Sequence, residues 1–244
     1  MIIQAMSGSM HTSAAPGEDA AKIAFPVSDI VASLFAGKAI LAALYARERT
    51  GRGRFVEVSL LEGMLCAQSN LAGSVLLADT DPPQVGVAQG NIAPYQLFLC
   101  KDAPIIAGAL NQRLWKRFCA AVGREELVDD PRFIDNPTRS RNRAELTAII
   151  EDTLRAETAA AWLERFERHE VPCGPVLSMR QALALPQVVA RGAAVEVESG
   201  AYGSIRLVGT PMRMEGYEPR YRAPAALGEH TAAVRREFLT EERE

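Results

Sequence analysis

The sequence offers little of the chemistry that announces a metal or redox centre. Its 244 residues hold four cysteines, Cys66, Cys100, Cys119 and Cys173, and no two form a CxxC pair. Zinc sites and disulfide frameworks rest on closer spacing, so free thiols are expected. The three histidines, His11, His169 and His230, are equally scattered, and no HExxH phrase occurs. No metal site is expected. Also absent are a GxxxxGK[ST] loop, a GxGxxG turn and a Ser/His/Asp arrangement, which removes the common nucleotide and serine-hydrolase signatures. Neither sign of charge dominates: 27 Lys and Arg stand against 30 Asp and Glu. That balance gives no footprint for nucleic acid or a membrane surface. The longest apolar stretch, Ile30 to Tyr45, is interrupted by Lys38 and falls short of the ~18–20 residues of a spanning helix. A buried helix of a soluble domain is expected there. Met1 to Met10 hold no basic segment ahead of an apolar one, so no secretory signal is expected.

What is present is ordinary for a globular chain, 48% apolar and 23% charged. Residues 1–28, rich in Ser, Gly, Ala and Pro, predict loop and short strand. A helix follows, capped by Ser28 or Asp29 and ended at Gly51. Its apolar residues, among them Ile30, Leu34, Leu41 and Leu44, cover much of its circumference, which predicts burial. Phe55 to Leu60 alternates like a strand, and a second helix is expected over 61–77. Residues 79–94, with three prolines and two glycines, predict a linker or active-site loop. Two short strands (95–100 and 104–109) come next, then helices at 112–122, 141–155 and 159–169. Val171 to Val176 reads as a stiff extended turn, too rich in Pro and Gly for a central strand. Two short helices (179–185 and 186–191), three strands (194–197, 205–208 and 212–215) and a polar last helix complete the chain. Mixed helices and strands predict an α/β or α+β class.

Seven phrases, in order along the chain, resemble the family III CoA-transferases. They include IQAMSG at Ile3 to Gly8, Asp29 before a glycine-containing apolar helix, and ILAALYARERTGRGRFVEVSLLEGM from Ile40 to Met64. NIAPYQLF at Asn91 to Phe98, DPRF at Asp130 to Phe133, the VPCGPV run and LGEHT follow. Members carry a long segment ahead of the first phrase, so the resemblance implies the C-terminal part of such a protein. The implied fold is α/β, an incomplete Rossmann-like large domain over 1–80 and a smaller α/β domain over 81–190. Residues 191–244 would form strands and a helix returning to the large domain. The resemblance further implies a cytoplasmic enzyme with coenzyme A and acyl-CoA as substrates and no permanently bound cofactor. Its partners would be a carboxylic acid and a second chain, as a homodimer or with a paralogous subunit, and neither nucleic acid nor membrane.

In this family an aspartate matching Asp29 attacks the acyl-CoA thioester. A carboxylate in the first turn of a helix faces the positive end of its dipole, a setting suited to an anionic nucleophile, although the same position serves a plain cap. Leu60 matches a CoA-pocket position. Gly90 and Asn91 fall in the region where transferases place a glycine-rich loop over the site, and Arg47, Arg49, Arg52 and Arg54 form a basic cluster that reads as a solvated helix end. Asn111 stands where the racemase branch has a glutamate. Racemisation needs a proton carrier beside the α-carbon, which an amide is not, so Asn111 favours transfer; it is also placed to cap the helix at Gln112. An acyl-CoA racemase and a non-catalytic subunit are the alternatives.

Overall fold

The structure, a computed structural model, describes residues 1–238. Contacts divide the chain into two compact units, Met1–Val176 and Leu177–Glu244. Helices and strands are mixed throughout, as the α/β expectation requires.

The first unit opens with five helices: α1 (Ile2–Met6), α2 (Ser9–Ser13), α3 (Val27–Thr50), α4 (Leu60–Ala67) and α5 (Ser69–Ala78). Where loop and short strand were expected, α1 and α2 stand, and Gly8 between them takes a left-handed φ of 77°. Neither helix has a side-chain cap, which left no signal to read. Helix α3 starts one residue before its expected caps. Pro26 holds the cap position, and Ser28 and Asp29 lie inside the first turn. The expected burial of α3 is also overturned. Only Ser28 is buried along it, while Ile30, Leu34, Ile40, Leu41, Leu44 and Tyr45 are exposed. The helix packs along one strip only, against α1 and α4. Gly63 of α4 sits there so closely that a Cβ would lie 3.6 Å from Val31 Cγ1. By length and composition alone, α3 is long and apolar enough to cross a bilayer.

Two further expectations change here. Phe55–Ser59 forms no strand, because no described segment pairs with it. A lone strand leaves its N–H and C=O groups without the ladder that stabilises it. The single helix expected over 61–77 is two helices meeting at Gln68 with a bend of 81°. The Gln68 side chain donates to Met64 O (3.0 Å) and Ser7 O (3.3 Å), tying the corner to α1.

The rest of the unit is a three-stranded antiparallel sheet with helices packed on it. Strands β1 (Tyr95–Leu99) and β2 (Pro104–Gly108) fall where the sequence placed them, and β3 (Cys173–Pro175) lies on the far side of β2. The run read as an extended turn is thus a three-residue edge strand, a place where proline's missing N–H is tolerated. Tyr95 lies opposite Gly108, and a Cβ at Gly108 would sit 2.5 Å from the Tyr95 ring. Helix α6 (Gln112–Val122), a 3-10 turn (Glu125–Val128), α7 (Asn136–Arg141), α8 (Arg143–Leu154) and α9 (Ala159–Arg168) follow. Caps read in sequence order fix the helix starts. The side chains of Asn111, Asp135 and Thr158 accept from Leu114, Thr138 and Ala161 N–H groups. Phe98, Trp115, Phe118, Trp162 and Phe166 form the centre of the core, with ring centroids 5.1–6.2 Å apart. The Trp162 indole donates to Leu154 O at 2.8 Å.

The second unit holds α10 (Met179–Leu183), α11 (Pro186–Ala190), the antiparallel pair β4 (Ala194–Ser199) and β5 (Gly203–Val208), and α12 (Thr231–Phe238). The strand expected over 212–215 is reduced to one bridge, Met214 to Tyr217.

The four cysteines are free thiols. Burial pushes Cys100 up to about 11 and Cys119 up to about 12, and raises Cys173. Cys66 is exposed. A thiol-exchange reagent at pH 8 is therefore expected to modify Cys66 first and Cys100 and Cys119 only on unfolding, as peptide mapping would show. The unfolded thiols ionise at a lower pH than the buried ones, so the unfolded state binds fewer protons in alkali. Stability is then full below about pH 8.5 and falls as pH rises from there toward the folded values. Urea midpoints measured between pH 7 and 10 would check this.

Candidate functional site

Asp29 is exposed in the first turn of α3, with Glu and Lys absent from that turn. The buried Ser28 hydroxyl donates to its Oδ2 at 3.2 Å. The chain leading into this turn is held by Gln4, which is only 3% exposed. Its Nε2 donates to Phe25 O (3.2 Å) and Ile23 O (3.4 Å), and its Oε1 accepts from Ile23 N (3.0 Å). Ser7 and Ser9, also buried, donate to Gln4 O. Buried amides cost free energy unless both ends are bonded, and Gln4 meets that condition by fixing the strand of chain four residues ahead of Asp29. Helix α4, which begins at Leu60, crosses α3 one turn beyond Asp29, beside Val31, Ala32 and Phe35.

Gly90 and Asn91 lie in an irregular segment between α5 and β1 that is anchored on two sides. On one side, Gly86 N donates to Ala14 O (2.9 Å), and Gly86 presses on Ala15, where a Cβ would stand 3.2 Å from its Cα. Gly86 has φ 55°, which glycine adopts without strain. On the other side the segment bonds the edge of β1 through Leu97 N to Val87 O and Gln89 N to Tyr95 O. Beneath it lie Asn136, Arg139 and Arg143. Arg139 is 1% exposed and has no acidic partner in hydrogen-bond reach among the described residues. Its Nε donates to Ala93 O (2.7 Å), its Nη1 to Phe133 O (3.0 Å) and Gln112 Oε1 (3.1 Å), and its guanidinium lies 4.8 Å from the Trp115 ring. Burial lowers the pKa of both arginines. Asn111, an exposed cap residue, is set beside this platform through its neighbour Gln112.

The six buried polar residues among those described fall into two places. Gln4, Ser7, Ser9 and Ser28 lie around the approach to Asp29; Gln96 and Arg139 lie under Gly90 and Asn91. Asp29 and Leu60 share the helical part of the unit, and Gly90, Asn91 and Asn111 share the rim of the sheet. No hydrogen bond or ion pair joins the two sets among the described residues. The basic cluster at the end of α3 is solvated, with Arg49 bonded to Tyr45 and Arg47 to Glu48. Gln4, Arg139 and Arg143 went unread as site residues, since no periodicity marks a lone polar residue as buried; the IQAMSG and NIAPYQLF phrases were the available pointers. The second unit has its own open groove of about 620 Å³, lined by Arg180, Leu183, Arg206 and Leu207 among others. None of the predicted site residues is in it.

The geometry offers one exposed carboxylate in the first turn of α3, and a loop whose backbone carbonyls are held by one buried and one half-buried arginine. No described group of three or more His, Cys, Asp or Glu is placed to hold a metal. A sequence model of CoA-transferase family III matches residues 1–231. The succinyl-CoA:glutarate CoA-transferase of Homo sapiens is 32% identical over 98% of this chain and 55% of its own length. The acetyl-CoA:oxalate CoA-transferase of Acetobacter aceti is 33% identical over 99% of this chain and 61% of its own. The chain thus spans little more than half the length of these curated relatives. Among solved structures, a CAIB/BAIF family protein from Brucella suis superposes with a TM-score of 0.79 at 31% identity, covering 96% of this chain and 61% of that one. Rv3272 from Mycobacterium tuberculosis gives 0.79 at 26% identity, with 95% and 62% covered. With the family match running through both the Asp29 turn and the Gly90 loop, the chain belongs to CoA-transferase family III.

Proposed function

We propose that this chain supplies the nucleophile of a CoA-transferase that moves coenzyme A between an acyl-CoA and a carboxylic acid. The observation that carries the reading is Asp29, exposed at the start of α3 on a segment braced by Gln4, in a chain of this family. An Asp29 oxygen attacks the thioester carbonyl carbon and expels CoA thiolate, leaving a mixed anhydride. The thiolate attacks Asp29 Cγ, releases the donor carboxylate and leaves an aspartyl-CoA thioester. The acceptor carboxylate then attacks Cγ and expels the thiolate, which takes the new acyl group and frees Asp29. One anion enters and one leaves at each step. Splitting the exchange into acyl transfers through one carboxylate is the usual gain of covalent catalysis. Succinyl-CoA with glutarate and acetyl-CoA with oxalate, the pairs named for the relatives, are the first substrates to try.

The reading includes a Rossmann-like large domain, completed by further protein, and a cytoplasmic enzyme acting as a homodimer or with a paralogous subunit. The exposed apolar residues of α3 and the unpaired Phe55–Ser59 segment support a covering partner, and they favour a non-catalytic subunit as the second reading. A racemase is disfavoured by Asn111, whose carbonyl oxygen is engaged by Leu114 N at 2.9 Å.

Incubation with succinyl-CoA and hydroxylamine is expected to place a hydroxamate on Asp29, read by peptide mass spectrometry, and Asp29→Asn is expected to abolish it. A folded wild-type chain without label would point to the subunit reading. Asn111→Ala is expected to lower unfolding free energy by about 1 kcal/mol through loss of the cap, with Asn111→Asp restoring it in urea denaturation. In D2O, a 2-methylacyl-CoA is expected to keep its α-proton; exchange would favour a racemase.

A further inference from the structure

Five consecutive carbonyls, from Gln89 to Ala93, are taken by side chains of α7 and the first residue of α8. Arg143 Nη2 reaches those of Gln89 (2.7 Å), Gly90 (3.2 Å) and Ile92 (2.9 Å), while its Nη1 donates to Gln96 Oε1 (3.2 Å). Asn136 Nδ2 takes the Asn91 carbonyl at 2.8 Å and Arg139 Nε takes that of Ala93 at 2.7 Å. Asn136 Oδ1 also accepts from Ala93 N at 3.0 Å. No carboxylate pairs with Arg143 among the described residues. Its cation is spent on neutral oxygens of the loop and of Gln96 on β1.

A trans peptide holds its C=O and the next N–H on opposite sides. The Gln89 and Gly90 carbonyls face the Arg143 guanidinium, so the N–H groups of Gly90 and Asn91 face away from it. Neither donates to any described group, and both residues keep solvent access. Side chains beneath the loop have thus sorted its acceptors to one side and left adjacent donors on the other. A Cβ at Gly90 would lie 3.1 Å from Val85 Cγ1, so the loop is drawn in closely at this point.

We propose that Arg143 is a positioning residue of the transfer reaction, which turns the Gly90 and Asn91 N–H groups out as a pair of donors for an oxygen of the reacting acyl group or carboxylate. This rests on the function proposed above. Each addition to a carbonyl in that sequence puts negative charge on an oxygen, and donors fixed in advance stabilise such charge without reorganising. Arginine suits the task because its planar fork serves four acceptors at once; a lysine ammonium has three protons and no fork.

The test uses the full chain and two variants, Arg143→Lys and Arg143→Met. Melting curves establish that each is folded, and Arg143→Lys, which keeps the cation, carries the test if the other is not. Hydrogen exchange in peptides covering 86–94 is expected to speed at least about tenfold, with peptides covering 112–122 unchanged. With succinyl-CoA and glutarate, kcat is expected to fall about 100- to 1,000-fold, the range for one lost donor, with KM little changed, and lysine is expected not to rescue it. Unaltered exchange at 86–94, rescue by lysine, or unchanged kcat with a loosened loop would overturn the proposal. Those outcomes occur in a protein that still labels at Asp29. A wild-type chain that never labels instead removes the function itself, and the catalytic role of Arg143 with it.

Discussion

Apolar burial in the first unit is confined almost wholly to one stretch of chain. Nineteen side chains between Phe98 and Val171 form the core, with Ala93, Ala14 and Met64 the remaining buried apolar residues. The helices that precede β1 pack on one another with little apolar burial, and hydrogen bonds tie them to that core. Arg139 and Arg143 secure the 89–93 loop. The loop secures the chain at Thr12 and Ala14, and Gln84 bonds Gly17 and Glu18. Gln4 then holds Ile23 and Phe25, immediately before the turn that bears Asp29. Hydrogen bonds are directional, with preferred distances and angles, where apolar packing is not. The turn that bears Asp29 is set by a succession of such directional joints.

The small sheet and its helices were legible because their signals are local. Asn111 was readable as a cap and begins α6 as expected, whereas Asp135 caps α7 where no helix was expected, because Asn136-Pro137 looks in sequence like a chain break. The alternation of Tyr95–Leu99 and Pro104–Gly108 buries Gln96, Phe98, Ile105 and Ala107 on successive inward positions. The helical part failed for the opposite reason. Burial of α3 and pairing of Phe55–Ser59 depend on what lies opposite, and an apolar face looks the same in sequence whether or not anything covers it. Gln68 shows a third kind of failure. An 81° corner inside an apolar run leaves no mark when the residue at the corner is a good helix former.

The candidate site was half legible. Asp29, Leu60, Gly90, Asn91 and Asn111 were found through family phrases, not through their physics, and Asn111 alone had a structural role that the residue type announced. Gln4, Arg139 and Arg143 bear on the same places from below. Their importance comes from the backbone carbonyls they hold away from bulk water, where a missing partner costs about 1–3 kcal/mol. Composition and periodicity do not encode that condition. It becomes visible only when the carbonyls of one segment are traced to the helix that receives them.

The contact of Gly86 with Ala15 joins one backbone to another, as do the bonds from Gly86 N to Ala14 O and from Leu97 N to Val87 O. Joints of this kind ignore side-chain identity. Val87, Ala88 and Gln89 can therefore change in size and charge while the loop keeps its path, provided position 86 remains glycine. A segment with a fixed route and a variable surface lets composition drift without displacing the residues on either side of it.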